Sequence, residues 1–312
     1  MTEQSAKRPT RRTCRTCLTS LTMDDDRNKA VRRLQDLMDP CTLCPRRCDA
    51  RRTKGGTGFC GISDEPVVSS VGPHFGEESV LVGAGGSGTI FFAGCNLGCV
   101  FCQTFDISHH RHGRPISIEQ LAQAMLELQR HGCSNINFVT PTHVVAPTID
   151  ALVLARGQGL TLPTVYNSGG YDSVETLKLL DGFIDIYMPD MKYSDPRVAE
   201  ELSEAPDYPR INREAVREMH RQVGDLHTER GIATRGLLVR HLVLPENLAG
   251  SFETIDFLAE QVSRRTAINV MDQYRPCYQA SSHPAINRRP TLKEIQSVRD
   301  YAVKKGLNVL SR

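Results

Sequence analysis

The sequence predicts an α/β fold: a parallel sheet curled into a partial or full (β/α)6 barrel of the TIM type, with a small cysteine-rich lobe on its N-terminal side. Three observations predict it. From residue 89 onward, six apolar runs of strand length alternate with amphipathic helical segments. Several of those segments open on Ser or Asp and close on Gly, the punctuation of helix ends. Ahead of the alternation, cysteines crowd into C-x2-C and C-x3-C spacings, a pattern of metal ligation.

Length and composition set the limits. A chain of 312 residues, 39% hydrophobic and 24% charged, can bury one large core or two modest ones. Its formal net charge of +2 gives no general attraction for nucleic acid or a membrane surface. The N-terminal MTEQSAKRPTRRTCRTC is basic without an apolar h-region, and no later stretch is apolar for about 18 residues. The expectation is a cytoplasmic protein with neither a nucleic-acid nor a membrane partner. In a reducing compartment, 11 cysteines are poor disulfide material and good metal ligands.

Taken in order, residues 1–28 are polar, basic and poor in large apolar groups, which reads as a flexible tail. Cys14 and Cys17 fall inside it and are set aside as unligated. Residues 29–80 form the cysteine-rich lobe. There CTLCPRRC and GFC place Cys41, Cys44, Cys48 and Cys60 in a C-x2-C-x3-C-x11-C pattern. Four thiolates bracketed by Pro, Gly and Arg suit a metal-nucleated lobe, with zinc or an auxiliary iron-sulfur cluster. The spacing does not choose between them.

Residues 81–312 form the barrel. VGAGGSGTI at 82–90 superficially matches a dinucleotide loop, but its glycines precede the β-rich TIFFA instead of opening a helix, so it reads as a turn into the first strand. Strands are expected at 89–93, 135–139, 162–166, 183–188, 237–244 and 267–271. The intervening helical patterns include SIEQLAQAMLELQRHG, APTIDALVLARGQG, DSVETLKLLDG and SFETIDFLAEQVSRR.

In such a barrel the chemistry belongs where strands end. The first strand runs into GCNLGCVFCQ, which places Cys95, Cys99 and Cys102 in a C-x3-C-x2-C pattern. Three thiolates can wrap one corner of an iron-sulfur cube and leave one iron open to a small molecule. Zinc could use three thiolates and a water, but no companion His or general-base Glu follows in a zinc pattern.

GCNLGCVFC resembles the cluster motif of the radical S-adenosylmethionine (radical SAM) superfamily. Over roughly residues 40–280, the blocks FFAGCNLGCVFCQ, NINFVTPTH, NSGGYDSVETLKLLDGFIDIYMPDMKY, VRHLVLP and MDQYRP are similar, in that order, to the X-type homologues of pyruvate formate-lyase activating enzyme. The resemblance implies a partial (β/α)6 barrel and a 4Fe-4S cluster whose open iron binds the amino and carboxylate groups of SAM. It implies reduction by a flavodoxin or ferredoxin, cleavage of SAM, and hydrogen abstraction by the 5′-deoxyadenosyl radical. Two substrate classes follow: a protein partner, by analogy a glycyl-radical enzyme, or a small molecule or peptide in biosynthesis. A non-catalytic iron-sulfur redox or sensor protein is the third reading; it predicts a fourth protein ligand or no SAM binding.

The resemblance also carries roles to single residues. Phe101 occupies the position of an aromatic ring near the adenine, and a plain buried aromatic is the other reading. Thr140-Pro141-Thr142-His143 stands where activating enzymes carry a Gly-Gly-Glu segment for the SAM ammonium, so the Thr140 hydroxyl and freed carbonyls are the expected substitutes. Asn167 and Ser168, before Gly169-Gly170, are expected on the ribose or methionine part. Asp190 and Lys192 resemble the Asp-x-Lys segment of the activating enzymes, the lysine holding a carboxylate as a point charge.

Arg240 resembles the arginine that pairs with the SAM carboxylate. His241, on the opposite strand face, reads equally as a structural histidine. Gln273 stands in for a SAM-contacting histidine, and Cys277 close by is a reactive thiol or an inert one. His109, His110 and His112 read as a solvated loop at the rim. No catalytic residue is assigned.

Overall fold

The computed structural model describes residues 15–310, with side chains from residue 26 onward. Cys14 lies outside the described residues. Helix α1 (Arg15–Asp36) occupies the second half of the stretch that composition marked as a tail. The chain then runs through β1 (Val67–His74), α2 (Ser79–Val82), β2 (Ser87–Phe92), α3 (Phe105–Ser108), β3 (Arg114–Pro115), α4 (Ile118–Arg130), β4 (Ile136–Val139) and α5 (Val145–Gly157). After these come β5 (Thr164–Ser168), α6 (Val174–Leu179), β6 (Ile186–Pro189), α7 (Pro196–Ser203), α8 (Tyr208–Val223), β7 (His227–Glu229), β8 (Ile232–Leu242), α9 (Ser251–Gln261), β9 (Ala267–Met271), α10 (Leu292–Lys304) and β10 (Asn308–Val309).

The strand order is β10-β9-β8-β6-β5-β4-β2-β1-β3, with β7 hairpinned onto β8. From β2 through β10 the pairings along this path are parallel. β1 runs antiparallel to both β2 and β3. The two ends of this order do not meet, so the sheet is an open barrel, the partial form expected. The six apolar runs map onto β2, β4, β5, β6, β8 and β9. The third is displaced to Thr164–Ser168 because Pro163 has no N–H to enter the ladder; it supplies only its carbonyl, to Ile136 N at 2.9 Å.

Side chains alternate across each strand and separate two environments. Ile90, Phe92, Ile136, Phe138, Tyr166, Tyr187, Val239 and Ile268 face outward, into the core shared with the helices. Each fully buried large apolar side chain there contributes about 1.5–3 kcal/mol. Inside the barrel, Val165, Ile186, Met188, Leu238 and Ala267 pack around Leu81, which α2 inserts as a plug. Polar side chains take several of the other inward positions of β2, β4, β5 and β9, among them Ser87, Asn137, Asn167 and Asn269.

The N-terminal lobe is not packed separately. Leu34, Leu37, Met38, Leu43 and Ile62 belong to the same core as Phe92 and Phe138, and β1, inside the 29–80 stretch, is a strand of the barrel sheet. Helix α5 explains why α1 is needed. Its buried residues, from Val145 through Ala155, cover most of its circumference and leave one exposed stripe at Val153 and Gly157, the pattern of a helix covered on most sides. Helix α4 packs against one side and α1 lies along another, and the buried side chains of α5 share one core with the sheet.

Candidate active site at the barrel mouth

The loop after β2 carries the three closely spaced cysteines. Gly94 turns the chain with φ +82°, and a Cβ there would stand 2.7 Å from both the Cys60 carbonyl and Ile62, so only glycine fits. Cys99 is buried, while Cys95 and Cys102 are half-buried. The Leu97 amide points at Cys95 Sγ (3.4 Å), the Ser203 hydroxyl at Cys99 Sγ (2.9 Å), and Cys102 Sγ lies 3.1 Å from Ser108 Oγ.

Burial, and then the neighbouring Cys99 and Cys102 sulfurs, push the Cys95 thiol well up, and burial does the same for Cys99. Lys192 opposes both shifts. The three thiols therefore share one electrostatic environment, where a metal's positive charge would keep them as thiolates. Among the described residues, no three His, Cys, Asp or Glu side chains are drawn together tightly enough to hold a single metal ion. In an iron-sulfur cube each thiolate has its own iron, and three sulfurs on one loop around a corner match that donor set.

Beside the thiols stands a buried ion network at the ends of β6 and β8. Asp190 Oδ2 accepts from Lys192 Nζ at 2.7 Å and Oδ1 from Arg240 Nε at 2.9 Å, with side-chain exposures of only 13%, 16% and 19%. Burial alone would raise the Asp190 pKa, but Arg240 and Lys192 more than reverse that and hold it below the usual carboxylate range. Burial works against both cations as well, and Asp190 overcomes it, keeping each charged. Lys192 acts electrostatically on Cys95 and Cys99, and its ammonium with the Arg240 guanidinium offers charged donors suited to a ligand carboxylate. The backbone here is fixed by Tyr208 OH and Asn212 Nδ2, each donating to the Asp190 carbonyl at 2.9 Å. At Gly170 (φ +75°) a Cβ would fall 2.0 Å from that carbonyl.

The other expected residues divide between the site and the scaffold. Asn167 faces the barrel interior at 2% exposure, and its Nδ2 has no partner. Ser168, one residue on, faces the other way and donates to Asp172 Oδ2 at 2.6 Å. Asp172 also accepts from Thr142 Oγ1 (2.7 Å) and Tyr166 OH (3.0 Å), with its pKa raised by burial despite those donors. Ser168 is thus committed to a buried carboxylate. Thr140 ends β4 in the left-handed region (φ +60°), its amide bound to the Asn167 carbonyl at 2.8 Å.

Phe101 is buried edge-on against Tyr274 (5.7 Å) and Tyr193 (6.4 Å), the packing of a core aromatic. His241 is fully buried between the Met191 carbonyl (2.7 Å) and Ser251 Oγ (2.8 Å), the structural reading. Gln273 lies exposed at the rim, its carbonyl accepting from Gln103 Nε2 at 3.3 Å. Cys277 is half-buried nearby. His109 stacks on Tyr278 at 4.6 Å and touches the Cys99 carbonyl, whereas His110 and His112 are exposed.

The four lobe cysteines come together. Cys41, Cys44, Cys48 and Cys60 line one small pocket with Arg46, Arg52 and Asn96. Burial pushes the Cys44 thiol up to about 12. Arg52, only 1% exposed, donates to the carbonyls of Ser63 and His143 and faces Cys41 Sγ. Arg46 stacks on Phe59 at 3.8 Å and donates to the carbonyls of Asn96, Ser203 and Glu204. The Gly94–Asn96 segment therefore separates the two thiol groups, with the Cys60 carbonyl packed on one end and Arg46 on the other. Arg46, Arg52, Asn96 and Asp172 escape a reading of the sequence, although Asn96 and Arg46 sit inside the two cysteine motifs that could have pointed to them.

A sequence model of the radical SAM superfamily matches residues 89–259. The uncharacterized protein MJ0674 of Methanocaldococcus jannaschii is 34% identical over 286 residues, covering 88% of this chain and 78% of its own. Among solved structures, a radical SAM methyltransferase from Sphaerobacter thermophilus superposes with a TM-score of 0.46 at 16% identity, over 72% of this chain and 66% of that one. Streptococcus suis SuiB bound to S-adenosylmethionine gives 0.48 at 12% identity, over 70% of this chain and 48% of that one.

Proposed function

The chain belongs to the radical SAM superfamily, and on that premise we propose that Cys95, Cys99 and Cys102 hold a 4Fe-4S cluster at the barrel mouth for radical chemistry on a substrate inside the barrel. Bound there, cluster and SAM together supply reductive cleavage of SAM to methionine and a 5′-deoxyadenosyl radical that abstracts hydrogen. The observation that carries this reading is the buried Asp190-Lys192-Arg240 network beside the three thiols.

In it, Lys192 and Arg240 bind the SAM carboxylate, and Asp190 orients both. Asn167 Nδ2, buried and unpartnered, donates to an oxygen of the SAM ribose or methionine part. Thr140 offers its hydroxyl to the SAM ammonium in place of a Gly-Gly-Glu segment, and Gln273 borders the site from the rim. Phe101, with Tyr193 and Tyr274, walls off water.

Within the superfamily we read the chain as an X-type homologue of pyruvate formate-lyase activating enzyme, with a flavodoxin or ferredoxin as electron donor in the cytoplasm. The placement of Asp190, Lys192 and Arg240 supports that subtype. Among the described residues no helix is long and apolar enough to cross a membrane. Cys41, Cys44, Cys48 and Cys60 line one pocket without closing on a single ion and are read as a second metal centre, an auxiliary cluster ahead of zinc. Anaerobic reconstitution tests the reading: iron, sulfide and zinc counts for both centres, SAM binding, and 5′-deoxyadenosine released with dithionite. A protein that takes up a cluster but binds no SAM overturns it.

A further inference from the structure

The barrel interior holds more polar groups than its own chain satisfies. Glu78, at the turn into α2, is 6% exposed; Oε1 accepts from Asn269 Nδ2 at 2.8 Å, and Oε2 has no partner. Asn137 Oδ1 and Asn167 Nδ2, inward on β4 and β5, have none either. Glu77, with a side chain 9% exposed, stands beside Glu78, and its nearest cation is Arg240 at 3.8 Å. That cation is already bound to Asp190.

Adjacent buried carboxylates repel, and an opposite charge or a shared proton must relieve them. Burial raises the proton affinity of Glu77 and Glu78 adds to it, against the pull of Arg240 and of His74. Glu77, Glu78 and Asp190 face two cations here, Lys192 and Arg240, which leaves negative charge in excess. Both glutamates line an open cavity, together with Arg240, Asn269, Met271 and Gln273. Arg240 thus forms a wall common to this cavity and to the proposed SAM site.

We propose that this cavity is the substrate pocket and that it takes a substrate bearing a primary ammonium group, held by Glu77 and Glu78 with Asn269 fixing the second carboxylate. The proposal rests on the radical SAM reading for its chemistry but not for its binding. An alkylammonium donates three hydrogen bonds, neutralises the surplus charge and occupies the free Glu78 oxygen. A free amine and a lysine side chain share that chemistry.

Calorimetry on the anaerobic holoenzyme with SAM, and separately on protein without cluster or SAM, tests it. The probes are 1,5-diaminopentane and acetyl-Ala-Lys-Ala-amide, with 1,5-pentanediol and the norleucine peptide as uncharged counterparts. At least one amine probe is expected to bind about ten-fold or more tighter than its counterpart, and which one identifies a free amine or a peptide. Glu78→Gln and Glu77→Gln each weaken it by a similar factor. The proposal is overturned if neither amine probe binds the wild type, if Glu78→Gln binds as well as wild type, or if Glu78→Gln stays folded by circular dichroism yet loses SAM instead of the amine. Failure of the radical SAM reading would show as absent cluster or SAM binding, and the amine measurement on the bare protein would remain readable.

Discussion

Arg240, inward on β8, reaches Asp190 at the end of β6 through a 2.9 Å Nε–Oδ1 bond, and the two residues are also joined by an isolated backbone bridge. Side chain and main chain thus lock the neighbouring strand ends together where the ligand carboxylate is to sit. Asp190→Asn removes the anion and leaves two buried cations facing each other. We expect a loss of about 3–5 kcal/mol of stability, as for a broken buried pair, and SAM affinity reduced about ten-fold or more. Urea titration and equilibrium dialysis with SAM measure the two effects.

Alanine at Cys95, Cys99 or Cys102 is expected to abolish the SAM-binding cluster, with about four irons lost per chain and no 5′-deoxyadenosine formed. Alanine at Cys44 or Cys60 should remove the other centre's metal. Elemental analysis of the purified variants separates the two losses, and retention of the full iron content in Cys99→Ala would refute the assignment.

Gly94→Ala places a methyl group against the Cys60 carbonyl and forces a side chain into the left-handed region. Strain of about 1–3 kcal/mol is expected. Because the glycine lies between the thiol groups, metal content should fall at both. Thermal unfolding and metal analysis on one preparation check this, and a variant with wild-type occupancy would contradict it.

His241 gives stability a pH dependence. Burial lowers its pKa from 6.5 to about 4, so between those values the unfolded chain binds a proton that the native state refuses. Stability is full above the unfolded value and falls as the pH drops through that window, by at most about 1.4 kcal/mol per pH unit from this residue. His241→Gln should flatten the slope in denaturation curves collected from pH 7 to pH 4; an unchanged slope would rule the histidine out as its source.

The parts of the fold legible in the sequence were those with a strong period or a cap. Ser117 with Gln120 forms the capping box that opens α4, as the SIEQ pattern announces, and β9 falls at the expected 267–271. β1 was illegible because Gly72 and Pro73 within it look like a turn; an antiparallel pairing with β2 overrides that local preference. The site shows the same division. Cysteine spacing pointed to both thiol groups, and strand alternation put Arg240 and His241 on opposite faces, the family resemblance choosing Arg240 as the inward one. Ser168 reads as a ligand contact beside Asn167, yet it turns to Asp172, which four residues of sequence separation cannot reveal. Glu77 and Glu78 look like an ordinary solvated acidic pair until α2 carries them into the barrel.

Helix α5 shows water only a stripe at Val153 and Gly157, and α1 lies along another of its sides. The matched segment 89–259 is therefore not a portable module. A fragment cut to those limits would bare an oily strip along α5, lose Arg46 from the back of the cysteine loop, and leave β2 as an unpaired, aggregation-prone edge.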